Sequence, residues 1–244
     1  TIVEAVAEGR RIFANIRKFI RYLLSSNAGE VLTMFAGILG AGLLGLDRGD
    51  GGFFLPLLAV QILWINLVTD GAPALALGVD PGGSGLMNRP PRHPKEPVID
   101  RPMWWMIGAV GLVMMAGTLF VLDAYLPAGL IPPLAFLEAG GADLVHARTA
   151  AFTTLVMFQM VNVFNCLSPT ESLFSTGPFR NRWLVGAVTL SVALHALVIY
   201  WPPLQTAFET TALSVLDWVV AVAVALSVIG VGEVAKLVRR RLEG

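Results

Sequence analysis

Charged residues are scarce in this chain of 244 residues. Only 14% of them are Asp, Glu, Lys or Arg, whereas a soluble globular domain carries about 25%. Basic and acidic residues balance at 17 each, which excludes the basic surface of a nucleic-acid-binding domain. The chain is 55% hydrophobic, with a mean hydropathy of +0.71, so a disordered chain is excluded as well. The composition indicates an integral membrane protein.

Cysteine is almost absent. Cys166 is the single cysteine, so a disulfide within the chain is excluded. The three histidines, His93, His146 and His195, lie far apart in the sequence. The sequence therefore excludes a Cys/His metal cluster.

Long apolar runs, in contrast, are abundant. A helix needs about 20 apolar residues to cross a bilayer core, and none of the runs alternates as a barrel strand does. The sequence therefore predicts an all-α fold, a polytopic transmembrane helical bundle of six spans. Residues 1–21 carry charges throughout and predict a cytoplasmic stalk helix that continues into the first span; residues 22–244 form the transmembrane domain. The predicted spans are Tyr22–Leu44, Leu57–Leu77, Met103–Tyr125, Ala150–Leu167, Trp183–Trp201 and Val215–Val231.

The basic residues predict the orientation of the bundle. Fifteen of the 17 lie on one side, in the N-terminal segment, the second and fourth loops and the C-terminal tail. Lys and Arg are enriched in cytoplasmic loops, so both termini are predicted to be cytoplasmic, and an even number of spans agrees with this. The short loops and the low lysine count favour a bacterial plasma membrane.

Polar residues inside the predicted spans are the candidates for function. A carboxylate at the bilayer centre costs about 2.5–3.5 kcal/mol on insertion scales, and such groups usually mark an ion or substrate path. For Asn162 and Asn165, hydrogen bonding to neighbouring helices is an equally good interpretation. The polar residues are Asn27 and Glu30 in span one, Asn66, Thr69 and Asp70 in span two, and Gln159, Asn162 and Asn165 in span four.

The second span is predicted to be interrupted. Asn66, Thr69 and Asp70 share one helix face, and Gly71 and Pro73 follow directly. Proline removes a backbone donor, so we expect this span to be unwound at mid-membrane, where transporters bind ions. The ligands on offer are carboxylates, amides and a hydroxyl, which suit a hard cation such as Ca²⁺, with Mn²⁺ as an alternative.

Three segments carry a resemblance to a known family. They are residues 25–30 (SSNAGE), residues 66–74 (NLVTDGAPA), and residues 87–92 (MNRPPR) with 94–97 (PKEP). In this order they resemble the calcium-pump branch of the P-type cation-transporting ATPases. The chain is similar to the C-terminal half of the membrane domain, transmembrane helices five to ten of a ten-helix pump.

The resemblance implies an ATP-driven calcium pump that works by alternating access. Asn27 and Glu30 match ion-ligand positions of helix five, and residues 66, 69 and 70 match those of helix six; Asp70 resembles the carboxylate shared between two calcium sites. The Arg89–Pro97 segment resembles the loop that contacts the phosphorylation domain, so docking is expected of Arg89, Arg92 and Lys95. The other interpretation of these three cations is simple positive-inside topology.

Gln159 departs from the pattern of the family. It stands where two-site calcium pumps have a glutamate. Glutamine keeps an oxygen ligand but removes a charge, so we expect one tightly bound calcium per cycle. The alternative is that Gln159 completes a weaker second site.

Several parts of the family's machinery have no counterpart in these 244 residues. They are the phosphorylated aspartate, the actuator, phosphorylation and nucleotide domains, and helices one to four, with the helix-four glutamate. We therefore expect that this chain alone cannot hydrolyse ATP, and that ATP and Mg²⁺ act only through the missing segments. The sequence does not begin with Met, which suggests a piece of a longer pump. The alternatives are a pump for manganese or another cation, or a truncated, catalytically inert membrane fragment.

Overall fold

The computed structural model describes residues 1–44, 46, 55–81, 87, 97–126, 130, 143–168, 171–177 and 179–243. Within these ranges the regular structure is entirely helical, as predicted. The elements are α1 (Ile2–Leu39), α2 (Ala59–Trp64), a π-helical segment (Ile65–Thr69), α3 (Gly71–Gly78), α4 (Arg101–Tyr125), α5 (Leu144–Asn165), α6 (Leu173–Thr176), α7 (Arg182–Tyr200), α8 (Pro202–Phe208), α9 (Val215–Ala225) and α10 (Ser227–Glu243).

Five helical stretches of the described chain are long and apolar enough to cross a membrane, and they overlap predicted spans two to six. The polytopic transmembrane bundle is therefore confirmed. The first predicted span is not among the five and stays a prediction; it lies in the C-terminal half of α1, which ends at Leu39 before Gly40. The five stretches are Ala59–Gly78, Arg101–Tyr125, Leu144–Asn165, Arg182–Tyr200 and Val215–Val238.

Helix α1 runs for 38 residues without interruption from the charged N-terminal segment into the apolar half. A capping box starts it, in which Thr1 and Glu4 satisfy each other's backbone groups. Its buried residues recur every three or four positions, which is the period of one helix face. That face carries Tyr22, Ser26 and Glu30, so the stalk and the candidate ion ligands of span one belong to a single rigid element.

Helices α1 and α4 approach each other closely at a glycine. A Cβ atom added to Gly111 of α4 would lie 3.0 Å from Cβ of Ala28 and 3.3 Å from the backbone nitrogen of Gly29. Side chains at such a crossing would hold the two backbones apart, and small residues are the usual solution between membrane helices. The position of Glu30 relative to the rest of the bundle therefore depends on this contact.

We expect Gly111→Ala to lower the unfolding temperature of the full-length protein in detergent, because the methyl group overpacks the crossing at a cost of about 1–3 kcal/mol. Gly108→Ala is the matched control, one turn earlier on α4, where an added Cβ meets nothing within 4 Å. Its effect should be neutral or slightly stabilising. Equal unfolding temperatures for the two variants would contradict the close crossing.

Helix α5 occupies the centre of the bundle. Its side chains are buried along almost the whole length of the helix. Polar groups in such a place must find partners, and the hydroxyls of Thr149 and Thr154 donate to the carbonyls of Val145 and Ala150, four residues earlier. Gln159, also fully buried, projects instead toward α1.

Buried polar groups join the middle of α1 to the C-terminal end of α3. Lys18 of α1 forms an ion pair with the fully buried Asp80, just after α3. Asn15 donates to the carbonyl of Asp80 at 2.8 Å and to that of Gly78 at 3.1 Å, and Arg180 lies 3.8 Å from the Asp80 carboxylate. These contacts fix the C-terminal end of α3 against α1.

Candidate cation site

The candidate site lies at an interruption of the second span. Helix α2 ends at Trp64, and the next five residues form a wider π-helical turn. There the amide of Asp70 donates to the carbonyl of Ile65, five residues earlier, at 2.9 Å. The normal four-residue pattern resumes where Ala74 donates to the carbonyl of Asp70 at 3.0 Å.

The predicted interruption is therefore present, but its predicted form was wrong: the span is widened and not unwound. Asp70 keeps helical dihedral angles, φ −87° and ψ −31°. Pro73 falls in the first turn of α3, where the missing N–H of a proline is tolerated. One extra residue in the turn is thus sufficient to accommodate the proline. Such π-helical turns are frequent at functional sites.

Glu30 is the centre of a hydrogen-bonded cluster drawn from three elements. Asn66 of the π-helical segment donates its amide N–H to Oε2 of Glu30 at 2.7 Å. Gln159 of α5 donates to Oε1 at 2.9 Å. Both oxygens of this nearly buried carboxylate therefore accept from amides that the sequence analysis had singled out. Predicted spans one, two and four converge here.

Asp70 lies beside this cluster and is fully buried. Its Oδ1 accepts from the hydroxyl of Tyr22 on α1 at 2.7 Å. Its Oδ2 has no hydrogen-bond partner, and neither has Oε1 of the fully buried Gln159. Asp70 follows Asn66, which bonds Glu30, by four residues in the same span. Two acceptors without partners, beside two carboxylates, form a site with an excess of negative charge and lone pairs.

Two predicted ligands, Thr69 and Asn27, have side chains that do not bond the cluster around Glu30 in the described structure. Thr69 is buried, but its hydroxyl donates to the carbonyl of Ile65 in its own span at 3.0 Å. Asn27 is half-buried, and no hydrogen bond within the described part of the chain joins it to Glu30, Asn66 or Asp70. Asn66 itself is exposed, so the cluster is open on the side of the π-helical segment.

The donor set suits a hard cation. Within the described ranges no three His, Cys, Asp or Glu side chains converge on one point, so carboxylates alone do not form the site. Ca²⁺ binds six to eight oxygens and accepts amide, hydroxyl and backbone carbonyl oxygens beside carboxylates. The partnerless oxygens of Asp70 and Gln159 are of this kind. The amide N–H groups of Asn66 and Gln159 both donate to the carboxyl group of Glu30.

Sequence reasoning missed Tyr22 of α1, which bonds Asp70 of the site. Two further polar residues follow on α1: Ser25 accepts from Asn162 at 2.8 Å, and Ser26 is completely buried. The signal was present, because residues 22, 26 and 30 recur every four positions and so share one helix face.

Asn165 has a structural role. Its amide donates to the carbonyl of Val228 at 3.1 Å, which joins α5 to α10. The carbonyls of Asn165 and Ser168 accept in turn from Arg21 of α1 at 3.1 and 3.3 Å.

The predicted docking residues Arg89, Arg92 and Lys95 lie outside the described residues.

Comparison with known proteins decides the family. The family described as cation transporting ATPase, C-terminus, matches residues 54–238, about three quarters of the chain. The chain belongs to this family. The resemblance to the C-terminal membrane domain of P-type ATPases is thereby confirmed, and the matched region of this ATPase domain includes Asn66, Asp70 and Gln159.

A relative extends the match to most of the chain. The calcium-transporting ATPase of Bacillus subtilis (strain 168) is 45% identical over 225 residues, which is 91% of this chain. The same residues are 22% of the relative's length. The chain therefore corresponds to a little over a fifth of that protein's length.

Proposed function

We propose that this chain is the membrane ion-translocation part of an ATP-driven calcium pump. The observation that carries the proposal is the convergence of Glu30, Asn66 and Gln159, beside Asp70, from three helices at an interrupted span. The relative's name supports calcium as the transported ion. In the pump, Asn27, Glu30, Asn66, Thr69, Asp70 and Gln159 supply the oxygen ligands.

The hydrogen bonds suggest how the site changes when the ion arrives. Without an ion, the amides of Asn66 and Gln159 donate to Glu30. A cation between Glu30 and Asp70 takes over the role of neutralising the carboxylates. The amide groups then turn their oxygens toward it, and the partnerless Oδ2 of Asp70 becomes a ligand.

The proposal includes the rest of the pump. The open side of the cluster at Asn66 is where the family's helix-four glutamate would complete the site. ATP and Mg²⁺ act through the actuator, phosphorylation and nucleotide domains, and the loop with Arg89, Arg92 and Lys95 docks onto the phosphorylation domain. Helix α1, continuous from stalk to site, transmits the resulting movement. Both termini are cytoplasmic, in a bacterial plasma membrane.

The decisive experiment is phosphorylation of the full-length pump by ATP in isolated membranes. We expect an acid-stable phosphoenzyme that forms with Ca²⁺ and is abolished by a calcium chelator, because ion binding at Glu30 and Asp70 is required before phosphoryl transfer. Formation with Mn²⁺ but not with Ca²⁺ would identify a manganese pump. Absence of a phosphoenzyme with any cation would support an inert fragment and contradict the proposal.

A further inference from the structure

The peptide unit between Thr69 and Asp70 is held by hydrogen bonds at both ends. Its N–H, which belongs to Asp70, donates to the carbonyl of Ile65 at 2.9 Å. Its carbonyl oxygen, which belongs to Thr69, accepts from the hydroxyl of Ser191 on α7 at 3.2 Å. This single rigid plane joins two of the proposed ligands, so its orientation decides where both side chains point.

Pro73 is the reason why this carbonyl needs an outside partner. In an α-helix the carbonyl of residue 69 accepts from the N–H of residue 73, and a proline has no N–H. The neighbouring carbonyl of Asp70 is satisfied by Ala74 at 3.0 Å. Thr69 and Ser191 are both fully buried, so water cannot replace the missing donor. A buried carbonyl without a partner is destabilising.

Ser191 differs from three hydroxyl residues that bond within their own helix. Thr33, Thr154 and Thr189 donate to the carbonyl four residues earlier in their own helix, which is the usual behaviour of such residues. The hydroxyl of Ser191 instead crosses from α7 to the π-helical segment. Helix α7, which contributes no proposed ligand, thereby contacts the backbone of the site.

We propose that Ser191 is a positioning residue for the cation site, which supplies the hydrogen bond that Pro73 cannot give and so fixes the orientation of Thr69 and Asp70. This inference rests on the proposed function of that site. Without the hydroxyl, only the bond from the amide of Asp70 to the carbonyl of Ile65 holds the peptide plane, and ion binding must restrict the movement that remains. The Thr69 carbonyl needs the hydroxyl of Ser191 because Pro73 has no N–H. The role of Ser191 can therefore be tested by a double-mutant cycle with Pro73.

The test is equilibrium calcium binding to the full-length pump carrying Ser191→Ala, Pro73→Ala or both. We expect Ser191→Ala alone to weaken calcium binding about tenfold. In the Pro73→Ala background, where residue 73 regains its N–H, the same change should cost less than about twofold. Thr189→Ala is the matched control, because Thr189 is exposed and bonds within α7, and it should leave the affinity unchanged.

Hydrogen–deuterium exchange of residues 62–76 gives a readout that is independent of transport. Ser191→Ala should speed exchange at the amide of Asp70, and Thr189→Ala should not. If Ser191→Ala fails to fold, Ser191→Cys replaces it, since a thiol is a weaker donor of similar size, and an intermediate loss of affinity is expected.

An unchanged affinity in Ser191→Ala, or an equal loss in both proline backgrounds, would overturn the inference. These outcomes are separate from a failure of the proposed function. A wild-type pump that forms no calcium-dependent phosphoenzyme refutes the calcium pump itself, whereas a wild-type pump that binds calcium normally leaves only Ser191 in question.

Discussion

Asp70→Asn should abolish high-affinity calcium binding by the full-length pump, with an affinity at least about a hundredfold lower, because calcium affinity follows the charge and number of ligands. The substitution preserves the size of the side chain and an oxygen ligand, and removes one negative charge. Asp70 is fully buried and its Oδ2 has no other partner, so no neighbouring group takes over. Calcium-dependent phosphoenzyme formation should be lost with it.

A second buried aspartate provides the control for this substitution. Asp217 of α9 is 5% exposed and accepts from the hydroxyl of Tyr125 at 2.6 Å, as Asp70 accepts from Tyr22. Asp217→Asn therefore removes the charge of another buried, tyrosine-bonded aspartate that lies outside the candidate site, and whose Oδ2 is 3.3 Å from His146 and accepts from the amide of Ser214. It should change thermal stability and leave calcium affinity near the wild-type value. A full retention of calcium affinity in Asp70→Asn would refute the assignment of the site.

Gln159→Glu should add a second calcium ion to the cycle. The amide of Gln159 now donates to Oε1 of Glu30 at 2.9 Å. Replacing that amide by a carboxylate brings two negative charges into contact inside the bundle, where they repel unless a cation or proton lies between them. The wild-type protein is expected to bind one calcium tightly, and the variant two, measured by equilibrium binding of labelled calcium.

Gln61→Glu tests whether any buried carboxylate would have the same effect. Gln61 of α2 is also fully buried, but it bonds the backbone of Leu58 and Phe208 and not another acid. This variant should lose stability and gain no ion. Two calcium ions of similar high affinity in the wild-type protein would contradict the one-ion prediction and indicate that Gln159 already completes a second site.

The sequence by itself determined the helices and the candidate ligands. Apolar runs of about 20 residues predict spans because crossing a bilayer is a local requirement on the chain, and predicted spans two to six agree with the structure. Glu30, Asp70 and Gln159 were recognisable because polar residues inside such runs are costly. Pro73 predicted the interruption, because the lack of an N–H is a property of the residue type alone.

Only the tertiary structure decided which of these groups meet. The contacts of Tyr22 with Asp70 and of Ser191 with Thr69 join residues 48 and 122 positions apart, and no local periodicity contains that information. Local periodicity also does not show that the hydroxyl of Thr69 bonds a carbonyl of its own span, or that the span widens into a π-helical turn. Whether a proline unwinds a helix or widens it depends on the partners that neighbouring helices offer to the backbone, and here Ser191 of α7 supplies one.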